Sequence, residues 1–139
     1  MSLMPTNLYG SFDNFDLQSS HVLPALLRKF HEAKINSHSD VTLWGSGTPM
    51  REFLFVDDMA EAFVYALENN LPEYLYNIVT GKDITIKELA ETIQKVTGHL
   101  GNILWDASKP DGTPRKLMDV SKMKALGWKY STELKEGIQ

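Results

Sequence analysis

Arg51 stands between a glycine-rich turn, Gly45-Ser46-Gly47, and an apolar run, Phe53-Leu54-Phe55-Val56, followed by paired aspartates Asp57 and Asp58. A guanidinium there can grip phosphate oxygens through two parallel donors, or it can close a surface salt bridge with Glu52 or Asp57. Trp44, just before the turn, offers a flat face to a base or sugar, although tryptophan more often serves packing. His21 follows a polar loop and opens a helical pattern, where an imidazole poised near neutral pH can act as acid or base or simply sit at the surface. Lys109, Asp111 and Arg115 share one loop rich in Gly and Pro, which reads either as a ligand-reaching segment or as a solvated charged turn.

Other chemistries are absent from the pattern. No glycine-rich dinucleotide turn, no phosphate-binding P-loop and no Tyr-x-x-x-Lys pair occurs. There is no cysteine, which removes disulfides, thiolate metal sites and a thiol nucleophile from this chain. The histidines His21, His31, His38 and His99 lack metal-ligand spacing; the last three are expected at the surface and no metal site is expected. With 139 residues, 42% of them hydrophobic, the chain is long enough for one domain with a core. Its formal charge of −4 provides no basic field for nucleic acid. No segment has the length and apolarity of a membrane span.

The positioning elements follow from periodicity. A strand end and an ordered loop occupy residues 4–20, then a helix over 21–34 capped by Ser19 or Ser20, with Pro24 in its first turn. A short strand over 41–44 precedes the glycine turn, and 51–56 is a strand or an extended lead-in to a helix capped by Asp57 or Asp58 and reaching Asn69. Strand 74–79, a turn over 80–82, a helix opened by the Thr85/Glu88 capping box and stopped by Gly98, and strand 102–106 come next. A short helix after Asp119 or Ser121, ended by Gly127, and a final helical stretch over 132–139 complete an α/β domain with a small mixed sheet under helices. Residues 1–3, followed at once by Met4, are expected to be an expression leader, and residues 4–139 one binding domain cut from a longer protein.

The segment GSGTPMREFLFVDDMAEA resembles one found in extended short-chain dehydrogenase/reductases that act on nucleotide sugars. Together with MPTNLYGSFDNFDLQSSHVLPALLRKFHEA and DASKPDGTPRKLMDV, in that order along the chain, it resembles the GDP-L-fucose synthase family. The resemblance implies the substrate-binding part of a cytoplasmic, homodimeric, NADP-dependent epimerase/reductase, with the Rossmann half absent from this chain. That family converts GDP-4-keto-6-deoxy-D-mannose to GDP-L-fucose by 3,5-epimerisation and NADPH-dependent 4-reduction.

By the same resemblance, Pro5, Thr6, Asn7 and Leu8 lie along the nicotinamide end of NADP(H), and His21 touches the cofactor and serves as epimerisation acid/base. Lys29, Trp44, Arg51 and Asp111 match positions that contact the GDP-sugar, with Arg115 a weaker candidate. The family's tyrosine–lysine pair and its cysteine have no counterpart, so the chain alone is expected to be inactive. The alternatives are the substrate domain of another nucleotide-sugar epimerase, dehydratase or reductase, and a stand-alone nucleotide-sugar binding module. The loop over residues 9–20 is expected to be mobile or borrowed by a neighbouring copy.

Overall fold

A computed structural model describes all residues, Met1–Gln139. In chain order the elements are β1 (Ser2–Pro5), β2 (Asn7–Tyr9), α1 (Val22–Ile35), β3 (Asp40–Trp44), β4 (Met50–Phe55) and α2 (Val56–Glu68). These are followed by β5 (Leu75–Ile78), β6 (Asp83–Thr85), α3 (Ile86–Thr97), β7 (Asn102–Asp106), β8 (Arg115–Lys116), α4 (Ser121–Ala125) and α5 (Leu134–Ile138). The chain is α/β, as expected, but its strands form three small sheets instead of one. β1 pairs β5 and β3 pairs β7, both parallel. β4 is the hub of the third: β2 and β8 run parallel to it and β6 antiparallel.

Side chains alternate faces along a strand, so β4 separates two cores. Phe53 joins Leu23, Leu26 and Phe30 of α1 and Leu89, Ala90 and Ile93 of α3 in one cluster. Leu54 joins Met59 and Ala62 of α2, Tyr76 and Ile78 of β5, Met123 and Trp128 in the other. The helix α3 forms where local signals agree: Thr85 and Glu88 make the reciprocal capping box, and Gly98 closes the helix at φ 71°.

Several local expectations are corrected by tertiary contacts. His21, not Ser19 or Ser20, is the residue at the N-cap of α1, and its side chain makes no capping bond. Ser19 instead donates to Asp16 within the preceding loop. Phe55, not Asp57 or Asp58, precedes α2. The buried Asp58 carboxylate accepts from the Ser131 N–H and hydroxyl, both at 2.7 Å, and from the Thr132 N–H at 3.1 Å, tying α2 to the C-terminal segment. β6 and β8, of three and two residues, are too short to show a periodicity in the sequence.

His99 is buried, its Nε2 3.0 Å from the His38 carbonyl and its ring edge-on to Phe30, whereas His31 and His38 are exposed. The loop over 10–20 folds back on its own domain, because Arg28 of α1 donates to the Phe15 carbonyl at 3.1 Å. Ser2 and Leu3 belong to β1, in register with Leu75 and Tyr76.

Candidate functional site

Strand alternation decides where Trp44 points. In β3, Val41 and Leu43 enter the core while Asp40, Thr42 and Trp44 face out, leaving the indole 67% exposed. The chain then turns through Gly45 at φ 84° and Gly47 at φ 77°, a left-handed backbone that favours glycine. Space demands glycine as well: a Cβ on Gly45 would collide with the Asp111 carboxylate, and one on Gly47 would stand 2.7 Å from the Trp105 ring.

This close approach lets Ser46 hold Asp111. Its N–H donates to Oδ1 at 2.6 Å and its hydroxyl to Oδ2 at 2.8 Å, while Ser46 Oγ lies 2.7 Å from the Thr48 hydroxyl. These bonds, the backbone one first, hold the Asp111 carboxyl below its ordinary value, so it is a carboxylate at neutral pH. The loop over 107–114 is thereby pinned to the glycine turn.

Arg51 is half-buried on β4, in register with Ile84 of β6 and Lys116 of β8. Neither acid proposed as its salt-bridge partner takes that role. Glu52 is fully buried, its Oε1 accepting from Thr80 Oγ1 at 3.1 Å and the Gly81 N–H at 2.5 Å, and Asp57 forms no ion pair. The Arg51 guanidinium donates to the Met50 carbonyl at 2.7 Å and to no carboxylate. The other arginines are paired: Arg28 with Glu32 at 2.7 Å, and Arg115 with Asp83 through bonds of 2.6 and 3.2 Å.

Trp44, Arg51 and Asp111 line one groove of about 170 Å³, floored by Val22, Pro49 and Ile86. Lys29 and Trp44 line an adjoining cleft of about 610 Å³, which shares Val22 and Ile86 with the groove. Lys29 Nζ lies 5.7 Å from the Trp44 ring centroid. Four of the residues singled out in the sequence therefore converge on one surface. His21 opens the helix that carries Lys29, is exposed, and lines neither cavity.

The Pro5 to Leu8 stretch lies apart from this surface, along the C-terminal half of β4. Thr6 Oγ1 and Asn7 Nδ2 donate to the Glu52 carbonyl at 3.2 and 2.8 Å, and Leu8 lines a separate shallow pocket with Gly10 and Phe12. Arg115, the weaker candidate, is held by Asp83.

Ser46 carries no functional signal in the sequence, and Lys109 reads there either as a ligand group or as part of a solvated turn. The structure puts Lys109 Nζ 5.5 Å from the Trp44 centroid, with no ion pair. Charge in a loop was visible in the sequence; its placement over an indole on another element was not.

The family model described as "NAD dependent epimerase/dehydratase family" matches residues 1–79, more than half of the chain. GDP-L-fucose synthase from Escherichia coli K12 is 55% identical over 146 residues, covering 99% of this chain and 46% of that protein. GDP-L-fucose synthase 1 from Arabidopsis thaliana is 53% identical over 138 residues, covering 99% of this chain and 43% of that protein. A solved structure of a GDP-L-fucose synthetase from Naegleria fowleri bound to NADP superposes with a TM-score of 0.90 at 32% identity, covering 98% of this chain and 43% of that one. The chain thus spans less than half the length of the relatives it matches, and by the family match over residues 1–79 it belongs to the NAD dependent epimerase/dehydratase family.

Proposed function

We propose that this chain is the nucleotide-sugar-binding part of an enzyme that converts GDP-4-keto-6-deoxy-D-mannose to GDP-L-fucose. The observation that carries the reading is the set of cations around Trp44. Lys29, Lys109 and Arg51 have no carboxylate partner, and the nearby Asp111 is held by Ser46. An exposed indole beside cations that form no ion pair suits a flat base linked to a diphosphate. Arg51 supplies a planar fork for phosphate oxygens, Lys29 a point charge, Trp44 a stacking face, and Asp111 an acceptor for sugar or base donors. The similarity to GDP-L-fucose synthases selects the GDP-sugar among compounds of that chemistry.

The C4 carbonyl of such a substrate acidifies the protons on C3 and C5, which an acid/base group can remove and return with inversion. His21 is our candidate for holding that proton. It is exposed at the start of α1, and its imidazole is not engaged in capping, so a ring nitrogen is available. Bound NADPH would supply hydride to C4.

The residues present fit one end of that cofactor. β2 pairs β4 along one edge and no strand along the other, so the N–H and C=O groups of that other edge have no strand partner. Pro5, Thr6, Asn7 and Leu8 would line that end, with Asn7 and Thr6 braced on Glu52. The chain contains no cysteine and no Tyr-x-x-x-Lys pair, so by itself it should bind without reducing. A cytoplasmic, homodimeric parent enzyme belongs to the same reading; no helix is long and apolar enough to cross a membrane.

Calorimetry with GDP, UDP and dTDP tests the assignment. GDP should bind most tightly, and preference for UDP or dTDP would overturn the guanine reading. Oxidation of NADPH by the purified chain with GDP-4-keto-6-deoxymannose would show that the missing acid/base pair is not required.

A further inference from the structure

The nucleotide-sugar reading counts Lys109 among the cations beside Trp44 without giving it a contact of its own. Its ammonium lies 5.5 Å from the Trp44 centroid, and that of Lys29, from a different element, 5.7 Å. Neither forms an ion pair, although the chain has 18 acidic residues against 14 lysines and arginines, so no shortage of carboxylates forces this. In the free chain the indole that a base would take is therefore already attended by cations, which are attracted to the negative face of the ring.

The backbone around Lys109 is clipped on both sides. On one, the Asp106 carboxylate accepts from the Ser108 N–H at 3.0 Å and its hydroxyl at 2.5 Å, and the Asp106 carbonyl accepts from the Lys109 N–H at 3.2 Å. On the other, Ser46 holds Asp111. The moving part is then the lysine side chain, not the loop. Its four-carbon stem and three rotatable donors allow the ammonium to leave the ring without disturbing either clip.

We infer that Lys109 is a specificity-determining residue that exchanges partners on binding: a nucleoside diphosphate takes its place on Trp44, and the displaced ammonium goes to the diphosphate. This rests on the nucleotide-sugar reading and extends it. Stacking of a base on an aromatic ring is stronger than a cation on an exposed ring, so the base wins the indole. A phosphate-bearing ligand also gives the displaced ammonium a charge-assisted partner, whereas a bare nucleoside displaces it into water. Lys109 therefore favours the diphosphate and disfavours the free nucleoside at the same site.

Calorimetry with GDP and with guanosine on the wild-type chain, Lys109→Ala and Lys109→Arg separates the possibilities, with far-UV circular dichroism confirming that each variant folds. Lys109→Ala should weaken GDP by about 5- to 20-fold while guanosine binds as well as before or better, and Lys109→Arg should restore GDP to within about twofold. Equal effects of Lys109→Ala on both ligands, or no effect on either, would overturn the exchange and leave the groove assignment standing. Failure of the wild-type chain to bind GDP would overturn the nucleotide-sugar reading itself, and the role of Lys109 with it.

Discussion

The cations around Trp44 and those on and beside the strands β6 and β8 that flank β4 are of the same residue types but are treated differently. Beside β4, Arg115 meets Asp83 and Lys82 meets Glu133, and farther along the chain Lys122 pairs with Glu73. Around the indole, Lys29, Arg51 and Lys109 form no ion pair, and the acids beside them are held by serines, Asp111 by Ser46 and Asp106 by Ser108. Arg51 and Arg115 are in adjoining sheet positions, since Met50 is in register with Arg115 and Arg51 with Lys116. One guanidinium is neutralised and the other left available. Exposed ion pairs add little to stability, so the difference matters less for folding than for which surface attracts an anion.

The sharpest way to break that comparison is to remove the available guanidinium. Arg51→Ala should weaken GDP binding by about 30- to 100-fold, the loss expected for charge-assisted hydrogen bonds to a diphosphate. Arg51→Lys should recover only part of it, because an ammonium cannot reproduce the planar fork. Titration calorimetry measures both, and wild-type affinity in Arg51→Ala would remove Arg51 from the site.

The next effect acts through the turn that keeps Asp111 occupied. Gly45→Ala puts a Cβ against the Asp111 carboxylate at a backbone φ of 84°. It should destabilise the chain by about 1–3 kcal/mol in urea denaturation, the cost of a strained left-handed residue. It should also weaken GDP binding, because the loop bearing Asp111 and Lys109 loses its clip. An unchanged urea midpoint would show that the turn relaxes freely.

What could be read in the sequence was what short-range chemistry decides. Thr85, Glu88 and Gly98 lie within one helix, and their side chains and dihedrals answer to one another, so α3 was legible. Asp58 has the composition of a helix cap but bonds Ser131 and Thr132, more than seventy residues away, which no local rule reveals. His99 was expected at the surface and is buried against Phe30 for the same reason. At the site, motif resemblance pointed to Lys29, Trp44, Arg51 and Asp111 by type, and folding brings them together. Ser46 and Lys109 acquire meaning only from their neighbours: Ser46 is an ordinary turn residue until Asp111 lies above it, and Lys109 an ordinary loop charge until Trp44 lies below.

The Asp111 clip also sets a pH window. Its carboxyl titrates below the ordinary 3.8 because Ser46 donates to the ionised form. A depressed folded-state value means that the stabilisation is fully present above the unfolded value, ~3.9, and is lost as pH falls through the lower folded value. The clip should therefore be constant from about pH 5 to 8 and open only in stronger acid. Carboxyl chemical shifts followed by NMR should place the Asp111 midpoint below 3.8, and Ser46→Ala should move it back up. A midpoint unaltered by Ser46→Ala would mean that the bonds do not hold the loop in solution.

The smallest effect belongs to the neutralised arginine, and it is the control that gives the largest its meaning. If positive charge near the groove were all that mattered, Arg115→Ala and Arg51→Ala would weaken GDP alike, since both remove one cation from neighbouring positions on the same sheet. If availability matters, Arg115→Ala removes a charge that Asp83 already cancels, and the Asp83 side chain, only 8% exposed, lines neither the groove nor the cleft beside Trp44. GDP affinity should then change by less than about twofold at physiological salt. Raising the salt should narrow what difference there is, because a charge outside the groove acts on the ligand only at a distance, while the loss in Arg51→Ala, which comes from direct hydrogen bonds, should persist.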